Sequence, residues 1–336
     1  MKAVITGGTG FLGRHVVWRL AREGFEVVFT GRSEADAATV LRLAEGTVRW
    51  QPLVHGNADA GGTLSRCCEH ADVVVHCAAL STPWGHAEDF RRANVESTAE
   101  VLRACHAAQV PRLVHISTPS LYFDFRDRLA IREDAPLPPP ANDYARTKAQ
   151  AESLVRAAQV PHTVILRPRA LFGPWDQTLM PRLLRVMHRG ALPLMNGGEA
   201  RLDLTYIDNA VDAVWLAATR LLPRALATYN VSNGEPHKLI ELLQAMAREF
   251  RLPLRTRRMP WPLVKYLAGG MEVAARLWPG REPLMTRYSA GVLAFSQTLD
   301  IAALRSELAY EPKVSIAEGL RRHADWWRLQ NTEAAR

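Results

Sequence analysis

Three features of the sequence predict an α/β chain built on a doubly wound, mostly parallel sheet. Over the first 170 residues, short apolar runs alternate with amphipathic segments, the pattern of repeated βαβ units with right-handed crossovers. Some runs are continuously apolar, Asp72–His76 (DVVVH) above all, which suits strands covered on both faces. The third feature is the opening, MKAVITGGTGFLG. Ala3–Ile5 reads as a buried strand that breaks into Gly7, Gly8 and Gly10, then reopens as a helix through Phe11, Leu12 and Gly13. Such a strand, turn and helix present unpaired backbone N–H groups and a positive dipole end to an anion. Glycine permits the tight turn, the close approach of a pyrophosphate and close packing of helix on strand. The spacing fits G-x-G-x-x-G through Gly8, Gly10 and Gly13, and equally G-x-x-G-x-x-G through Gly7, Gly10 and Gly13. Placed directly after a first strand, it predicts a dinucleotide-binding Rossmann sheet.

The elements follow in order. Phe11–Arg22 is an amphipathic helix with Leu12, Val16 and Leu20 on its apolar side, ended by Gly24. Phe25–Thr30, Val48–Val54 and Asp72–His76 are the second, third and fourth strands. A long helix is expected over Glu88–Gln109, a fifth strand over Arg112–Ser117, a helix over Tyr144–Ala158 and a sixth strand over His162–Arg167. Past Leu171, proline and glycine interrupt the rhythm until Val211–Leu222 resumes a helix and Tyr229–Val231 a late strand. From His237 the pattern is mostly helical. The organisation expected is a dinucleotide-binding domain over residues 1–170, with a return to it near 205–233. Residues 171–330 mainly form a smaller, largely helical C-terminal substrate lobe, and Asn331–Arg336 a frayed tail.

Composition narrows the class. The chain has 336 residues, 48% of them hydrophobic, enough for a large core and a second lobe. Its net charge of +8 comes mostly from dispersed arginines, a pattern that argues against a nucleic-acid partner. No stretch reaches the roughly 18 uncharged apolar residues of a spanning helix. The nearest, Met259–Trp278, is interrupted by Lys265, Glu272 and Arg276, so no transmembrane segment is expected. Met1 and Lys2 run straight into the first strand, leaving no room for a signal peptide. Cys67, Cys68, Cys77 and Cys105 have neither metal nor disulfide spacing. They read as thiols of a reducing cytoplasm, with no metal site. Trp261, Trp278, Trp326 and Trp327 read as core packing, with the wall of an apolar cleft as the alternative.

Tyr144 and Lys148 are spaced i, i+4, on one face of their helix. A phenol near pKa 10 is a poor acid–base group at neutral pH, and a neighbouring ammonium or an oxidised nicotinamide ring lowers it. Lys148 can also hold the cofactor ribose. The loop after the fifth strand carries Ser117, Thr118 and Ser120 at the carboxyl end of a parallel sheet, where ligands bind. The second strand ends in Gly31-Arg32-Ser33 with no carboxylate. Arg32 can pair with a 2′-phosphate, so NADP(H) is expected over NAD(H), with NAD(H) still possible. The alternative is an Arg32 that points to solvent or stacks on adenine without discriminating.

Several motifs together resemble one family: TGGTGFLG at 6–13, HCAAL at 76–80, NVEST at 94–98, STPSLY at 117–122, YARTK at 144–148, RPRALFGP at 167–174 and YNVSNGEP at 229–236. The sequence resembles the extended (atypical) short-chain dehydrogenase/reductases, the NAD-dependent epimerase/dehydratase and 3β-hydroxysteroid dehydrogenase superfamily. The resemblance implies catalytic roles for Tyr144 as acid/base, Lys148 as its partner, Thr118 as the polarising hydroxyl where the family usually has serine, and Asn94. It implies cofactor contacts from Gly7, Gly10, Phe11, Leu12, Gly13, Ala78, Ala79 and Arg167, and from Asn57, which replaces the usual adenine-side aspartate. Leu202 stands where sugar-nucleotide enzymes commonly have arginine. LDLTYIDNAVDA at 202–213 and the segment 282–312 are closer to the steroid-dehydrogenase-like branch. Arg167, Arg169 and Arg201 can still meet an anion, and reading them as solvated or strand-end arginines is an even alternative. The activity implied is NAD(P)-dependent interconversion of a secondary alcohol and a ketone on a hydrophobic small molecule, steroid-like or long-chain. A sugar-nucleotide epimerase/dehydratase and a noncatalytic dinucleotide-binding regulator are the alternatives. The resemblance further implies a homodimer formed through the helices near 88–109 and 144–158.

Overall fold

Ala3 and Ile5 of the first strand, β1 (Lys2–Thr6), face one hydrophobic core, and Val4 between them faces another. This period-two division repeats along the sheet and sets the architecture of the computed structural model, which describes residues 1–57, 59–278 and 282–334. In chain order, β1 is followed by α1 (Phe11–Arg22), β2 (Glu26–Gly31), α2 (Glu34–Leu43), β3 (Val48–Pro52), α3 (Ala60–Cys68), β4 (Val73–His76) and α4 (Ala87–Phe90). A π-helical stretch, Arg91–Glu96, joins α4 to α5 (Ser97–Ala107). Then come β5 (Arg112–Ile116), a 3₁₀ turn at Pro119–Tyr122, β6 (Arg128–Ile131), α6 (Asp143–Ala157) and β7 (His162–Pro168).

The remainder runs β8 (Leu171–Phe172), α7 (Leu179–Arg189), β9 (Leu192–Leu194), β10 (Arg201–Leu202), β11 (Thr205–Tyr206), α8 (Ile207–Thr219) and β12 (Leu226–Val231). It ends with β13 (His237–Lys238), α9 (Leu239–Phe250), β14 (Thr256–Arg258), α10 (Trp261–Leu277), α11 (Arg287–Ala294), β15 (Gln297–Leu299), α12 (Ala302–Leu308) and α13 (Ile316–Ala334).

Seven strands make the main sheet, in the order β12-β7-β5-β4-β1-β2-β3, and every pair in it is parallel. Val73 and Val75 join Ala3, Ile5 and Phe29 under α1 and α8, while Val74, Val28 and Ile165 pack against α3, α5 and α6. The chain therefore winds outwards from β1 in both directions. That leaves a crevice at the carboxyl ends of β1 and β4, where doubly wound sheets bind ligands.

Several expected boundaries move for identifiable reasons. The helix expected over Val211–Leu222 begins at Ile207, because Asn233 Oδ1 accepts the Tyr206 N–H at 3.0 Å and Asp208 occupies the first turn. The single helix expected over Glu88–Gln109 is interrupted by the π stretch. The C-terminal region is less purely helical than expected. Beside helices α9–α13 it holds β14 paired with β9, and β15, which bridges β10 and β6. Leu320 and Ala324 of α13 return to the main core, and the tail expected to fray from Asn331 is helical through Ala334; its last two residues lie outside the described residues. Among the described residues, no helix is long and apolar enough to cross a membrane.

Candidate active site

The crevice between β1 and β4 opens into a cleft of about 540 Å³. Six of the predicted cofactor residues line it together: Gly7, Gly10, Arg32, Asn57, Ala78 and Ala79. The turn is built for close approach. Gly7 has φ +68°, and a Cβ there would lie 2.7 Å from Ala78 Cα. A Cβ on Gly13 would lie 2.1 Å from the Gly7 carbonyl oxygen, so helix and turn meet only through glycine. Gly10 caps α1 with no side-chain acceptor, leaving the first-turn N–H groups for an anion. Phe11 and Leu12 serve through that backbone: Leu12 is buried in the core and Phe11 packs against it. This glycine cradle fits a dinucleotide pyrophosphate. Arg32 is exposed at the rim. Ser33, next to it, caps α2 by accepting the Asp36 N–H at 3.2 Å.

Around the corner, at the ends of β5 and α6, hydroxyls form a chain. Thr118, extended at the start of the 3₁₀ turn, donates to Ser120 Oγ at 3.0 Å. Tyr288 of α11 donates to the same oxygen at 2.6 Å, and the Thr118 hydroxyl lies beside the Tyr144 phenol. Burial pushes the Tyr144 phenol up to about 12, and the Thr118 contact offsets only part of this. The expected depression of Tyr144 by Lys148 is therefore reversed in the protein itself, because desolvation dominates. Lys148 is 2% exposed. Its ammonium donates to the Ile116 carbonyl at 2.6 Å, with His115 Nε2 at 3.5 Å. Burial brings its pKa down to about 8, partly offset by Glu152. Tyr288 was not among the residues singled out from sequence. It arrives from a distant helix, and a lone tyrosine there carries no local signal.

Two expected site residues take other roles. Arg167 lies away from the cofactor cleft, almost fully buried. Its Nε and Nη2 donate to Glu152 Oε1 and Oε2 at 2.8 and 2.6 Å, and Nη1 bonds the Tyr122 hydroxyl and the Glu133 carbonyl. With its donors engaged in this way, it is a structural pair rather than a cofactor contact. Asn94, fully buried within the π stretch, has its amide engaged by the protein itself. Its Oδ1 accepts the Leu80 N–H at 2.7 Å, and Nδ2 donates to Thr147 Oγ1 at 3.0 Å. It fixes the loop after β4 against α6, and so positions Ala78 and Ala79.

Tyr144 and Tyr288 open onto a second cleft, of about 810 Å³. Trp84, Phe90 and Phe125 supply its apolar wall. Helix α10 contributes its polar side. Lys265, Glu272, Ala275 and Arg276 face the cleft, while Leu263, Tyr266, Leu267, Val273 and Leu277 lie exposed. The tryptophans divide as well. Trp261 stacks with Phe125 and packs on Phe295, Trp326 meets Trp175, Trp327 meets Phe250, and Trp278 is exposed.

A glycine-turn dinucleotide cleft beside a Tyr-x-x-x-Lys helix defines an enzyme of the short-chain dehydrogenase/reductase type. The chain belongs to the NAD dependent epimerase/dehydratase family, whose model matches residues 3–232. It is 34% identical over 339 residues to the 2-alkyl-3-oxoalkanoate reductase of Stenotrophomonas maltophilia (strain K279a), covering 96% of this chain and 98% of that one. It is 30% identical over 339 residues to the sterol-4-alpha-carboxylate 3-dehydrogenase erg26, decarboxylating, of Schizosaccharomyces pombe (strain 972 / ATCC 24843), covering 97% of each. Among solved structures, MoeE5 in complex with UDP-glucose and NAD superposes with a TM-score of 0.77 at 24% identity, covering 98% of this chain and 100% of that one. That likeness concerns the fold.

Proposed function

We propose that the protein is an NADP(H)-preferring oxidoreductase that interconverts a secondary alcohol and a ketone on a hydrophobic oxo or hydroxy compound. The observation that carries this reading is the cluster of hydroxyls, Thr118, Ser120 and Tyr288 hydrogen-bonded in series beside Tyr144, at the head of the larger cleft, with the buried Lys148 beneath it. Gly7, Gly10 and the first turn of α1 would cradle the nicotinamide cofactor, which would supply or accept the hydride. Tyr144, protonated at neutral pH, donates its proton to the oxygen of the ketone being reduced. Thr118 orients that oxygen through its hydroxyl. Lys148, anchored on the Ile116 carbonyl, places positive charge behind the phenol and can hold a ribose hydroxyl. Two relatives named for reduction of an oxoalkanoate and dehydrogenation of a sterol carboxylate support a hydrophobic substrate. So does the apolar wall of Trp84, Phe90 and Phe125. Arg32 at the rim supports NADP(H).

The test is a screen of reduced-cofactor oxidation over long-chain 3-oxo compounds, 3-oxosteroids and nucleotide sugars. Net oxidation with the oxo compounds is expected. Turnover confined to nucleotide sugars, with the cofactor returned unchanged, overturns this reading in favour of an epimerase.

A further inference from the structure

The three arginines near the end of β7 and on β10 have different fates. Arg167 is sealed against Glu152, and Arg201 is exposed. Arg169, the first residue beyond β7, is only 5% exposed. Its Nε has no hydrogen-bond partner, and among the described residues its guanidinium forms no ion pair. Of the arginines that line the larger cleft, Arg287 pairs with Glu272 at 2.8 Å, whereas Arg276 lies over the Trp84 ring, 5.8 Å from its centroid.

A buried guanidinium without a carboxylate is strongly unfavourable, and a long side chain with a route to water takes it. The groups that face Arg169 are Asp203, a carboxyl held by another partner, and the Tyr288 phenol, which burial keeps protonated and neutral. Asp203 is itself held by the Leu299 N–H at 2.6 Å. Tyr288 interacts electrostatically with Arg169 on one side and with Tyr144 on the other. The unpaired cation therefore stands at the far end of the hydroxyl chain from the acid–base tyrosine. The cofactor pyrophosphate does not supply the missing anion. It belongs at the β1 turn, three strand spacings from β7, or about 14 Å.

We propose that Arg169 binds a carboxylate carried by the substrate close to its reacting oxygen, making the preferred substrates oxo or hydroxy acids rather than neutral ketones or alcohols. The planar guanidinium fork matches a carboxylate in two parallel hydrogen bonds. This assignment rests on the alcohol–ketone reading of the Tyr144 site. The same oxyanion chemistry could come from a phosphate, and the test separates the two sources.

Dodecanoate, dodecanol and UDP are each titrated calorimetrically into the NADP⁺-saturated protein and into Arg169→Met. Wild type is expected to bind dodecanoate at least tenfold more tightly than dodecanol, and Arg169→Met to lose that preference while NADP⁺ affinity stays within twofold. The thermal midpoint of Arg169→Met should hold or rise, since an unpaired buried charge is removed; a merely structural arginine would lower it. If the methionine variant does not fold, Arg169→Gln carries the same comparison. Equal binding of acid and alcohol by wild type, undiminished dodecanoate binding in the variant, or an Arg169-dependent preference for UDP overturns the proposal. Wild type that reduces neutral ketones but not oxo acids defeats this proposal and leaves the redox reading standing. Arg169-dependent binding of dodecanoate without oxidation of NADPH by any ketone does the reverse.

Discussion

Replacing Arg167 by methionine separates a structural arginine from a cofactor ligand. Arg167 and Glu152 are each 3% exposed at the side chain and meet in a bidentate pair at 2.6 and 2.8 Å. Methionine keeps most of the apolar stem but strands the Glu152 carboxylate and the Tyr122 hydroxyl. Breaking one side of a buried pair costs about 3–5 kcal/mol. Arg156, 3.4 Å from Glu152 Oε2 and 41% exposed, can swing in and hold the loss near the lower figure. At about 2–4 °C per kcal/mol, a loss of about 3 kcal/mol lowers the thermal midpoint by roughly 6–12 °C. The double variant Glu152→Gln/Arg167→Met should regain a substantial part of this, because the orphaned charge is gone. The assay is a thermal melt of each variant, paired with NADPH binding measured well below both transitions. The reasoning is refuted if Arg167→Met melts with wild type while its NADPH dissociation constant rises tenfold or more.

Two further predictions concern the cofactor and pH. Arg32→Ala should weaken NADPH about tenfold or more, the worth of a charge-assisted contact, and leave NADH within twofold in parallel fluorescence titrations. The variant avoids Gly31, where a Cβ would lie 2.5 Å from Thr9 and confound the result. With the Tyr144 phenol raised to about 12, alcohol oxidation should climb steadily with pH, because the phenol must first lose its proton. Reduction should stay level from pH 6 to about 8 and fall above that, as Lys148 loses its charge. Stopped-flow profiles in both directions check this, and an oxidation rate flat across pH 6–9 counts against it. The stability terms have opposite signs. Burial destabilises protonated Lys148 below about 8, a penalty that fades towards 10.5. For Glu152, burial raises the carboxyl pKa, but Arg167 and Arg156 together hold it below 4.5. Its contribution is present above 4.5 and lost as pH falls through the folded value.

What the sequence made legible was local. The glycine turn, β1 and α1 are contiguous, and their chemistry follows from spacing alone. Valine runs in β4 and the i, i+4 relation of Tyr144 and Lys148 are equally self-contained. What stayed hidden depends on the partner across space. Arg167 and Arg169 are two residues apart with the same local signal, yet only one has a glutamate on α6 opposite it. The apolar run of α10 showed that a helix would form, but not that its polar side would face the cleft. Asn94 read as catalytic because it stands in a catalytic neighbourhood. Only the fold reveals that both ends of its amide are taken by Leu80 and Thr147. Tyr144 misled in a similar way: a nearby lysine suggested a lowered phenol, and burial outweighs it.

The central claim is that Tyr144 moves the proton while its neighbours only bind and orient. The most direct measurement is single-turnover hydride transfer from bound NADPH to the ketone that wild type turns over, in Tyr144→Phe. The account predicts intact folding, NADPH affinity within about twofold of wild type, and a chemical step slowed at least 10²–10⁴-fold, the usual scale for an acid–base group. Hydride transfer at near the wild-type rate in that variant would contradict it.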